Sequence, residues 1–295
     1  MSPQAIDRLS RSGRVTRVRH GAYAAELGAD DAVRHRQVIA GTWPLLGEGA
    51  VLSHATAGLL HGLPLWDGML QRVSFVRAAG GHARIGGHIR VRLEPLTPSE
   101  VVEIDGYRVT GLERTAFDIA RTVEYEKAVA VLDAALHAHA DPSGLAVAAE
   151  QARGRKGVGV ARAALTFADE RSESVGESIS RVRLVAAGLP LPELQINVFD
   201  ERGNWVARSD FGWLSSGVLG EFDGRIKYLG TADEVGTAVV NEKRREARLR
   251  DLGWTVARWG MADLALETLR HRLEMAFAQA EHSTIRGWAQ PTVRP

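Results

Sequence analysis

Apolar and polar side chains alternate along several short stretches of the chain and recur at helical spacing along others, which predicts a mixed α/β fold. The clearest alternation runs from Trp205 to Trp213. A second stretch, residues 218–223, is rich in strand-forming residues and ends at Asp223-Gly224, a dipeptide typical of tight turns. We therefore expect two strands that pair as a hairpin.

The region around this hairpin contains further periodic segments. Four apolar residues recur at helical spacing and predict the core-facing side of a helix that begins near Ser174. They are Val175, Ile179, Val182 and Ala186. Alternation at residues 194–198 predicts a first strand, and residues 234–252, 254–259 and 261–280 predict a helix, a strand and a final helix. The tail after Glu281 is expected to be irregular.

The first 170 residues are also mixed. Residues 1–24 predict a short helix, a basic turn and a hairpin, as at the end of a winged helix. Ser53 is expected to cap a helix that closes at His61-Gly62, and a capping box formed by Thr110 and Glu113 to start a helix that ends near Arg121. Strands are predicted at 73–76 and 89–93, a hairpin turn at 104–107, and helices at 126–137, 142–153 and 160–170.

The predicted hairpin of the last region brings acidic residues together. Side chains alternate across a strand, so Glu221 and Asp223 project from the same face, and Asp210 on the neighbouring strand can join them. Three carboxylates favour a hard divalent cation between them, and Lys227, just past the turn, adds a positive charge. This combination suits metal-assisted attack on a phosphodiester. The alternative is a solvated turn, because such acidic pairs are common at the ends of strands.

The segments on either side of these residues strengthen the nuclease interpretation. They are Gly176-Glu177-Ser178, Gly188-Leu189-Pro190, Pro192-Glu193-Leu194-Gln195, Glu242-Lys243-Arg244-Arg245 and Gly253-Trp254-Thr255-Val256. Together with the hairpin, this succession resembles the Vsr-like branch of the PD-(D/E)xK nuclease superfamily over roughly the last 125 residues, a normal size for one domain.

The resemblance implies a restriction-endonuclease-like three-layer fold and a metal-dependent nuclease. The implied catalytic residues are Glu177, Asp210, Glu221, Asp223 and Lys227. Mg²⁺ or Mn²⁺ would be held by Asp210, Glu221 and Asp223, with Lys227 stabilising negative charge and Glu177 orienting water or metal. In one departure from the superfamily pattern, Asp223 stands where a lysine is usual, and Lys227 takes its place. For Glu177, an ordinary ion pair with Arg181 is the alternative.

Composition limits the other possibilities. The chain has 295 residues, 45% of them hydrophobic, which predicts two or three domains with their own cores. It contains no cysteine, so disulfides and thiolate metal sites are excluded. No apolar run reaches the ~20 residues of a membrane span and the first residues lack an apolar signal-peptide core, so we predict a cytoplasmic protein without a membrane partner.

The net charge is only +1, but the basic residues are clustered. Residues 1–23 contain five arginines against the single acid Asp7, and residues 243–250 contain five basic residues against Glu246. Such clusters attract phosphate backbones and predict DNA contacts, although solvated helix faces are the alternative. The predicted DNA-binding residues are Arg14, Arg17, Arg19, Lys243, Arg244 and Arg245.

Three short motifs follow the basic hairpin in the middle of the chain. They are Leu52-Ser53-His54-Ala55-Thr56-Ala57 with Leu60-His61-Gly62-Leu63, Val109-Thr110 with Arg114-Thr115, and Asp118-Ile119-Ala120-Arg121. With the hairpin, they resemble the AbiEi-type antitoxins of type IV toxin–antitoxin systems. The resemblance implies binding of promoter DNA, repression of the protein's own operon and a nucleotidyltransferase-type toxin as partner. His54 and His61 are expected to be packed or capping residues, and Arg114 to pair with Asp118.

These inferences combine into a three-part α/β chain: a partial winged helix at 1–45, an AbiEi-like mixed α/β domain at 46–170 and a nuclease-fold domain at 171–295. Either the winged helix is truncated or residues 33–43 supply its missing packing. The favoured function is DNA binding with metal-dependent endonuclease activity. The alternatives are an antitoxin-like autorepressor that keeps the nuclease fold as a scaffold, and a module that neutralises a toxin through its middle domain.

Overall fold

The computed structural model describes residues 3–47, 49–77, 84–224 and 232–292. The chain divides into two compact units, residues 1–166 and 167–295. Each unit combines helices with a β-sheet, which confirms the predicted mixed α/β fold class.

The first unit begins with a small helix and hairpin. The elements are α1 (Pro3–Arg11), β1 (Thr16–Arg19), β2 (Ala22–Ala24) and α2 (Asp31–Thr42). Strands β1 and β2 are antiparallel, and Gly21 supplies the left-handed backbone (φ +77°) that their tight connection needs. Asp30 caps α2 by accepting the Val33 N–H at 2.8 Å. The helix packs against the hairpin, so residues 33–43 do supply packing for it.

A six-stranded mixed sheet follows. Its strands are β3 (Val51–Leu52), β4 (Val73–Arg77), β5 (Arg84–Gly86), β6 (Ile89–Leu93), β7 (Val101–Ile104) and β8 (Tyr107–Thr110). They lie in the order β5-β6-β4-β3-β8-β7, with β3 parallel to β8 and β4 parallel to β6. The predicted turn between β7 and β8 is confirmed, because Asp105 and Gly106 both adopt positive φ.

Five helices complete the described part of the first unit and reach its boundary. They are α3 (His54–His61), α4 (Leu112–Ala120), α5 (Tyr125–His137), α6 (Pro142–Gln151) and α7 (Val158–Phe167). Helix α3 ends at Gly62 in the left-handed conformation, as predicted. The predicted capping box is wrong: Gly111 is the N-cap of α4, the Thr110 hydroxyl pairs with that of Thr115, and the Glu113 carboxylate accepts the Asp141 N–H.

The second unit is built on a five-stranded sheet. Its elements are α8 (Val175–Ala186), β9 (Glu193–Phe199), β10 (Trp205–Trp213), β11 (Val218–Phe222), α9 (Ala232–Asp251), β12 (Thr255–Trp259), α10 (Leu266–Ala280) and β13 (Trp288–Pro291). The order is β12-β11-β10-β9-β13; β11 and β12 are parallel and the other pairs antiparallel. The predicted hairpin of β10 and β11 is confirmed. The tail is not irregular throughout, because β13 pairs with β9 and ends in a proline at the sheet edge.

Two apolar cores lie on the two faces of this sheet. One joins α8 and α10 to Phe211 and Trp259, and the other joins α9 to Leu219 and Trp254. The predicted face of α8 is partly wrong. Ala186 is exposed, whereas Glu177, Ser180 and Arg181 are buried together with Leu184. Polar side chains therefore take positions of α8 that hydrophobic periodicity assigns to solvent.

Candidate nucleic-acid interface and acidic site

The basic residues of the β1–β2 hairpin have two different roles. Arg19 is half-buried, and its guanidinium donates to the Gly41 carbonyl of α2 at 3.1 Å. This contact holds the hairpin on the helix. Arg14 and Arg17 are exposed, and Arg17 Nη2 lies 2.6 Å from His20 Nδ1 at the tip. Among the described residues, neither Arg14 nor Arg17 forms an ion pair, so both guanidiniums are available to an anion.

The second basic cluster, on α9, also contains both exposed side chains and one that is paired with acidic residues. Lys243 and Arg244 are exposed, as expected for groups that meet a phosphate backbone. Arg245 is instead turned toward the sheet and contacts both carboxylate oxygens of Glu221, at 2.8 and 2.9 Å. It also donates to Glu242 and to the Arg208 carbonyl. Burial works to lower the pKa of Arg245, but the hydrogen bonds and charges of Glu242 and Glu221 outweigh it and raise the pKa.

Glu177 is a buried carboxylate at the start of α8, with 7% of its surface exposed. Its oxygens accept the Glu173 N–H at 2.9 Å and the Ser174 hydroxyl at 2.8 Å, while Ser174 caps the helix by accepting the Glu177 N–H. Gln195 on β9 donates its amide to the same carboxylate at 3.0 Å. The exposed ion pair with Arg181 is not what the structure shows, because both side chains are buried.

Gln195 reaches Glu177 because the strand is distorted there. Its backbone is left-handed (φ +53°), which is uncommon for a residue other than glycine. On either side of it, Leu194 packs into the α8–α10 core and Ile196 into the α9 core. The simple alternation predicted for this strand is therefore interrupted at Gln195, and a polar side chain enters the site. The Gln195 Oε1 atom is buried and has no hydrogen-bond partner among the described residues.

Asp210 lies close to this site. The register of β10 and β11 places Phe211 opposite Gly220, and the Asp210 carboxylate accepts the Phe222 N–H at 2.8 Å. Burial and the nearby negative charge of Asp210 raise the pKa of Glu177 to about 7, against the opposing effect of its hydrogen bonds. Glu177, Asp210 and Gln195 thus form one acidic site between α8, β9 and β10.

Glu221 is engaged elsewhere. Besides Arg245, it contacts the Arg258 guanidinium at 2.9 Å, and the parallel register of β11 and β12 places Glu221 beside Arg258. Asp223 is exposed, and its N–H donates to the Trp259 carbonyl. Lys227 lies outside the described residues. The hairpin thus brings Asp210 and Glu221 to adjacent strands, but two arginines occupy the Glu221 carboxylate.

The predicted metal ligands do not form a joint set in the described part of the chain. No three histidine or acidic side chains in residues 3–47, 49–77, 84–224 and 232–292 are grouped so that they could hold a metal ion. A carboxylate held by two guanidiniums is also a poor donor to a cation. The Mg²⁺ or Mn²⁺ site at Asp210, Glu221 and Asp223 stays a prediction, and no chemical step is derived through it.

The first unit contains an ionic network that sequence reasoning found only in part. The predicted pair of Arg114 and Asp118 is confirmed at 2.8 Å. Arg114 also contacts Glu94 and Glu100, and Arg121 contacts Asp118 at 2.8 Å and Glu94 at 3.0 Å. The signals in the sequence are the helical spacings of Arg114 and Arg121 from Asp118, whereas Glu94 arrives from a distant strand end.

The two histidines of the middle motifs are packed residues. His54 is buried, with Nδ1 3.1 Å from the Ser53 hydroxyl and Nε2 3.2 Å from an Arg121 nitrogen. Burial lowers the pKa of His54 to about 3, although the charge of Asp118 works in the opposite direction. His61 Nε2 lies 2.8 Å from the Thr110 carbonyl. This contact joins the end of α3 to the end of β8. These contacts agree with the prediction that His54 and His61 are packed or capping residues.

Most of the first unit is similar to a known protein family. Residues 50–167 match the AbiEi antitoxin C-terminal domain, which supports an antitoxin or regulator role with DNA binding.

In the described residues, no helix is long and apolar enough to cross a membrane. A crystal structure of the RV2827C protein from Mycobacterium tuberculosis is similar at 17% identity and a TM-score of 0.35, over 56% of this chain and 69% of that one.

Two relatives extend the comparison to the second unit. The uncharacterized proteins MT2308 and Rv2248, from two strains of Mycobacterium tuberculosis, are each 31% identical to this chain over 265 residues. The alignments cover 87% of this chain and 89% of each relative. The chain belongs to the same family as these mycobacterial proteins.

Proposed function

We propose that this protein is an antitoxin-type transcriptional regulator that binds promoter DNA through its β1–β2 hairpin. The observation that carries the proposal is the hairpin itself. Arg19 fastens it to α2, and Arg14 and Arg17 remain exposed without an acidic partner among the described residues. Because Arg19 holds the hairpin on α2, the backbone that carries these two exposed guanidiniums needs little reordering when they meet a phosphate.

In this proposal the hairpin supplies position and affinity. Arginine contacts to backbone phosphates fix the register of a protein on a duplex, but they carry no base sequence. The neighbouring α1 ends with the exposed Arg8 and Arg11, of which Arg11 pairs with Asp7. Arg8 therefore adds positive charge on the helix that precedes the hairpin in the chain. Repression of the protein's own operon follows if that duplex is its promoter.

The partner in this proposal is a nucleotidyltransferase-type toxin, which the AbiEi resemblance implies. The AbiEi match over 50–167 supports a toxin partner in general. A nucleotidyltransferase gene beside the gene for this chain would favour that class, and an isolated gene would weigh against it.

The test is a mobility-shift titration of promoter DNA at several salt concentrations. The variant Arg14→Ala/Arg17→Ala removes the two exposed guanidiniums and keeps the Arg19 anchor. Each lost phosphate contact lowers the slope of log K against log salt by about 0.9, so a decrease of about 2 is expected. The control, Arg108→Ala/Arg153→Ala, removes two other exposed arginines of the first unit and should leave the slope unchanged. Equal slopes for wild type and the hairpin variant would overturn the proposal.

A second candidate function, phosphodiester hydrolysis, is favoured by the Glu177–Asp210 site. A carboxyl group with a pKa of about 7 can accept and return a proton near neutral pH, as general acid–base chemistry requires. The engagement of Glu221 with Arg245 and Arg258 favours the other alternative, a nuclease-like fold kept as a scaffold.

A cleavage assay separates these two possibilities. Supercoiled, linear and single-stranded DNA would be incubated with the full chain in Mg²⁺, in Mn²⁺ and in chelator. Metal-dependent nicking that disappears in Asp210→Asn and in Glu177→Gln would establish an enzyme. DNA binding that persists in chelator, with no cutting of any substrate, would establish the scaffold.

A further inference from the structure

Strand β6 of the first unit carries two arginines on the face opposite its core. Val91 is buried in the core between the sheet and α2, and Ile89 packs against the same core. Because side chains alternate along a strand, Arg90 and Arg92 lie together on the other face. Both are partly exposed, so each can be reached from solvent.

The acidic groups near these arginines already have partners. Glu94 is bound by Arg114, Arg121 and Arg155. Asp118 is bound by Arg114 and Arg121, and Glu100 by Arg114. Each acid of this network is thus already paired with Arg114, Arg121 or Arg155. Neither Arg90 nor Arg92 has an ion-pair partner among the described residues. The negative charges of Glu94 and Asp118 act on Arg92 from nearby, but neither acid forms an ion pair with it.

The guanidiniums themselves carry unused donors. Arg90 Nε and Arg92 Nη1 are covered by protein atoms and have no hydrogen-bond partner in the described part of the chain. Buried donors without partners are rare in folded proteins, and a bound ion is one way in which such donors are satisfied. Burial lowers the pKa of Arg92 to about 10, and the nearby charge of Arg90 adds to the effect. An anion between the two side chains would relieve this repulsion and accept the unused donors.

We propose that Arg90 and Arg92 form a second anion site, which binds a backbone phosphate of duplex DNA apart from the β1–β2 hairpin. The inference rests on the proposed DNA-binding function and gives it a second contact surface in the AbiEi domain. Phosphate is the anion whose geometry suits two guanidinium forks. DNA held at both the hairpin and β6 would be fixed at two points, which limits the orientations that a bound duplex can adopt.

The first experiment measures the salt dependence of DNA binding by the full chain with Arg90→Ala/Arg92→Ala. The slope of log K against log salt should fall by up to about 2 if each arginine meets one phosphate. Arg90→Lys/Arg92→Lys keeps the charge and should retain most of the slope. The control Arg108→Ala/Arg153→Ala removes two exposed arginines elsewhere in the first unit. Equal slopes for the β6 alanine variant and this control would refute the second site.

A second experiment does not depend on DNA binding by the hairpin. Inorganic pyrophosphate should raise the melting temperature of the wild-type chain and of Arg14→Ala/Arg17→Ala, but not that of Arg90→Ala/Arg92→Ala. If the wild type fails to bind DNA while this pattern is seen, the proposed function fails and the anion site stands. If pyrophosphate stabilises all three proteins equally, or none, the anion site at β6 is refuted. Circular dichroism confirms that each variant is folded.

Discussion

Each unit of the chain contains a buried helical carboxylate with a strongly shifted pKa, and the two shifts have opposite directions. Asp118 on α4 is 1% exposed; burial works to raise its pKa, but the charges of His54, Arg114 and Arg121 lower it to about 2. Glu177 on α8 is 7% exposed, and burial together with Asp210 raises its pKa to about 7. Asp118 is surrounded by guanidiniums, whereas Glu177 faces a second acid.

Nearby charge, and not burial, decides whether each of these two carboxylates is ionised. Burial alone pushes both carboxylates toward the neutral form, and only the nearby charges differ. The first unit therefore uses its buried acid as a structural anchor that stays ionised. The second unit holds an acid that changes its charge near neutral pH, which is the property expected of a group that takes part in chemistry or switching.

The largest expected effect comes from breaking the ionic network of the first unit. Arg114→Ala leaves Glu94 with two of its partners and Glu100 with none of its described arginines. Removing one member of a buried ionic group typically costs about 3–5 kcal/mol of unfolding free energy. The matched variant is Arg245→Ala in the second unit, whose side chain is 24% exposed and holds Glu221 and Glu242. Because solvent screens that cluster, a loss of about 1 kcal/mol is expected.

Hydrogen exchange measures the two losses separately, since amides of α4 report on the first unit and amides of α8 on the second. Arg114→Lys should recover only part of the stability, because an ammonium group cannot bridge three carboxylates as the guanidinium does. The contrast between the units would be refuted if Arg245→Ala lowered the free energy of unfolding by as much as Arg114→Ala does.

The second expected effect is a pH dependence that belongs to Glu177. The folded pKa is raised from 4.5 to about 7, so this group stabilises the fold fully below pH 4.5 and loses that contribution as the pH rises through 7. At 1.36 kcal/mol per pKa unit, the change amounts to about 3 kcal/mol. Glu177→Gln cannot ionise, so it should gain about that much relative to wild type between pH 4 and pH 8.

Urea unfolding followed by tryptophan fluorescence checks this, because Trp43 and Trp66 are in the first unit and the other five tryptophans are in the second. Glu193→Gln, at an exposed position on β9, is the control and should parallel wild type at every pH. A constant difference between Glu177→Gln and wild type from pH 4 to pH 8 would mean that folding leaves the pKa of Glu177 unshifted, which would refute the prediction.

The same pair of sites shows what the sequence can predict. The strands β10 and β11, their pairing and the Arg114–Asp118 contact follow from local periodicity and spacing. The partners that decide the chemistry come from far along the chain: Glu94 joins Arg114 from a strand end, and Asp210 joins Glu177 from another strand. No local pattern encodes these approaches, because they depend on how the elements pack.

The buried polar face of α8 escaped prediction for a related reason. Hydrophobic periodicity assumes that polar side chains face water, so it placed Glu177 and Arg181 outside. In the structure, Ser174, Gln195 and the Glu173 N–H satisfy Glu177, while Arg181 donates to the Phe167 carbonyl at 2.8 Å and lies over the Phe167 ring. The alternation of apolar and polar residues in the sequence cannot predict the left-handed backbone at Gln195 either. The residues on both sides of Gln195 belong to the same strand and alternate in sequence as in a regular strand.

The smallest expected effect is a difference in salt sensitivity between the two ionic clusters. Raising the ionic strength from about 0.05 M to about 1 M shortens the Debye length to ~3 Å, which weakens interactions between solvent-exposed charges far more than between buried ones. The cost of Arg245→Ala should therefore shrink by a few tenths of a kcal/mol, because Arg245 is 24% and Glu242 41% exposed and a pair that solvent reaches contributes about 1 kcal/mol. The cost of Arg114→Ala should stay constant, because Arg114 is 6% and Asp118 1% exposed. Urea titrations of both variants at the two salt concentrations measure this, and equal salt dependence would mean that water reaches the network of the first unit as readily as the cluster on α9.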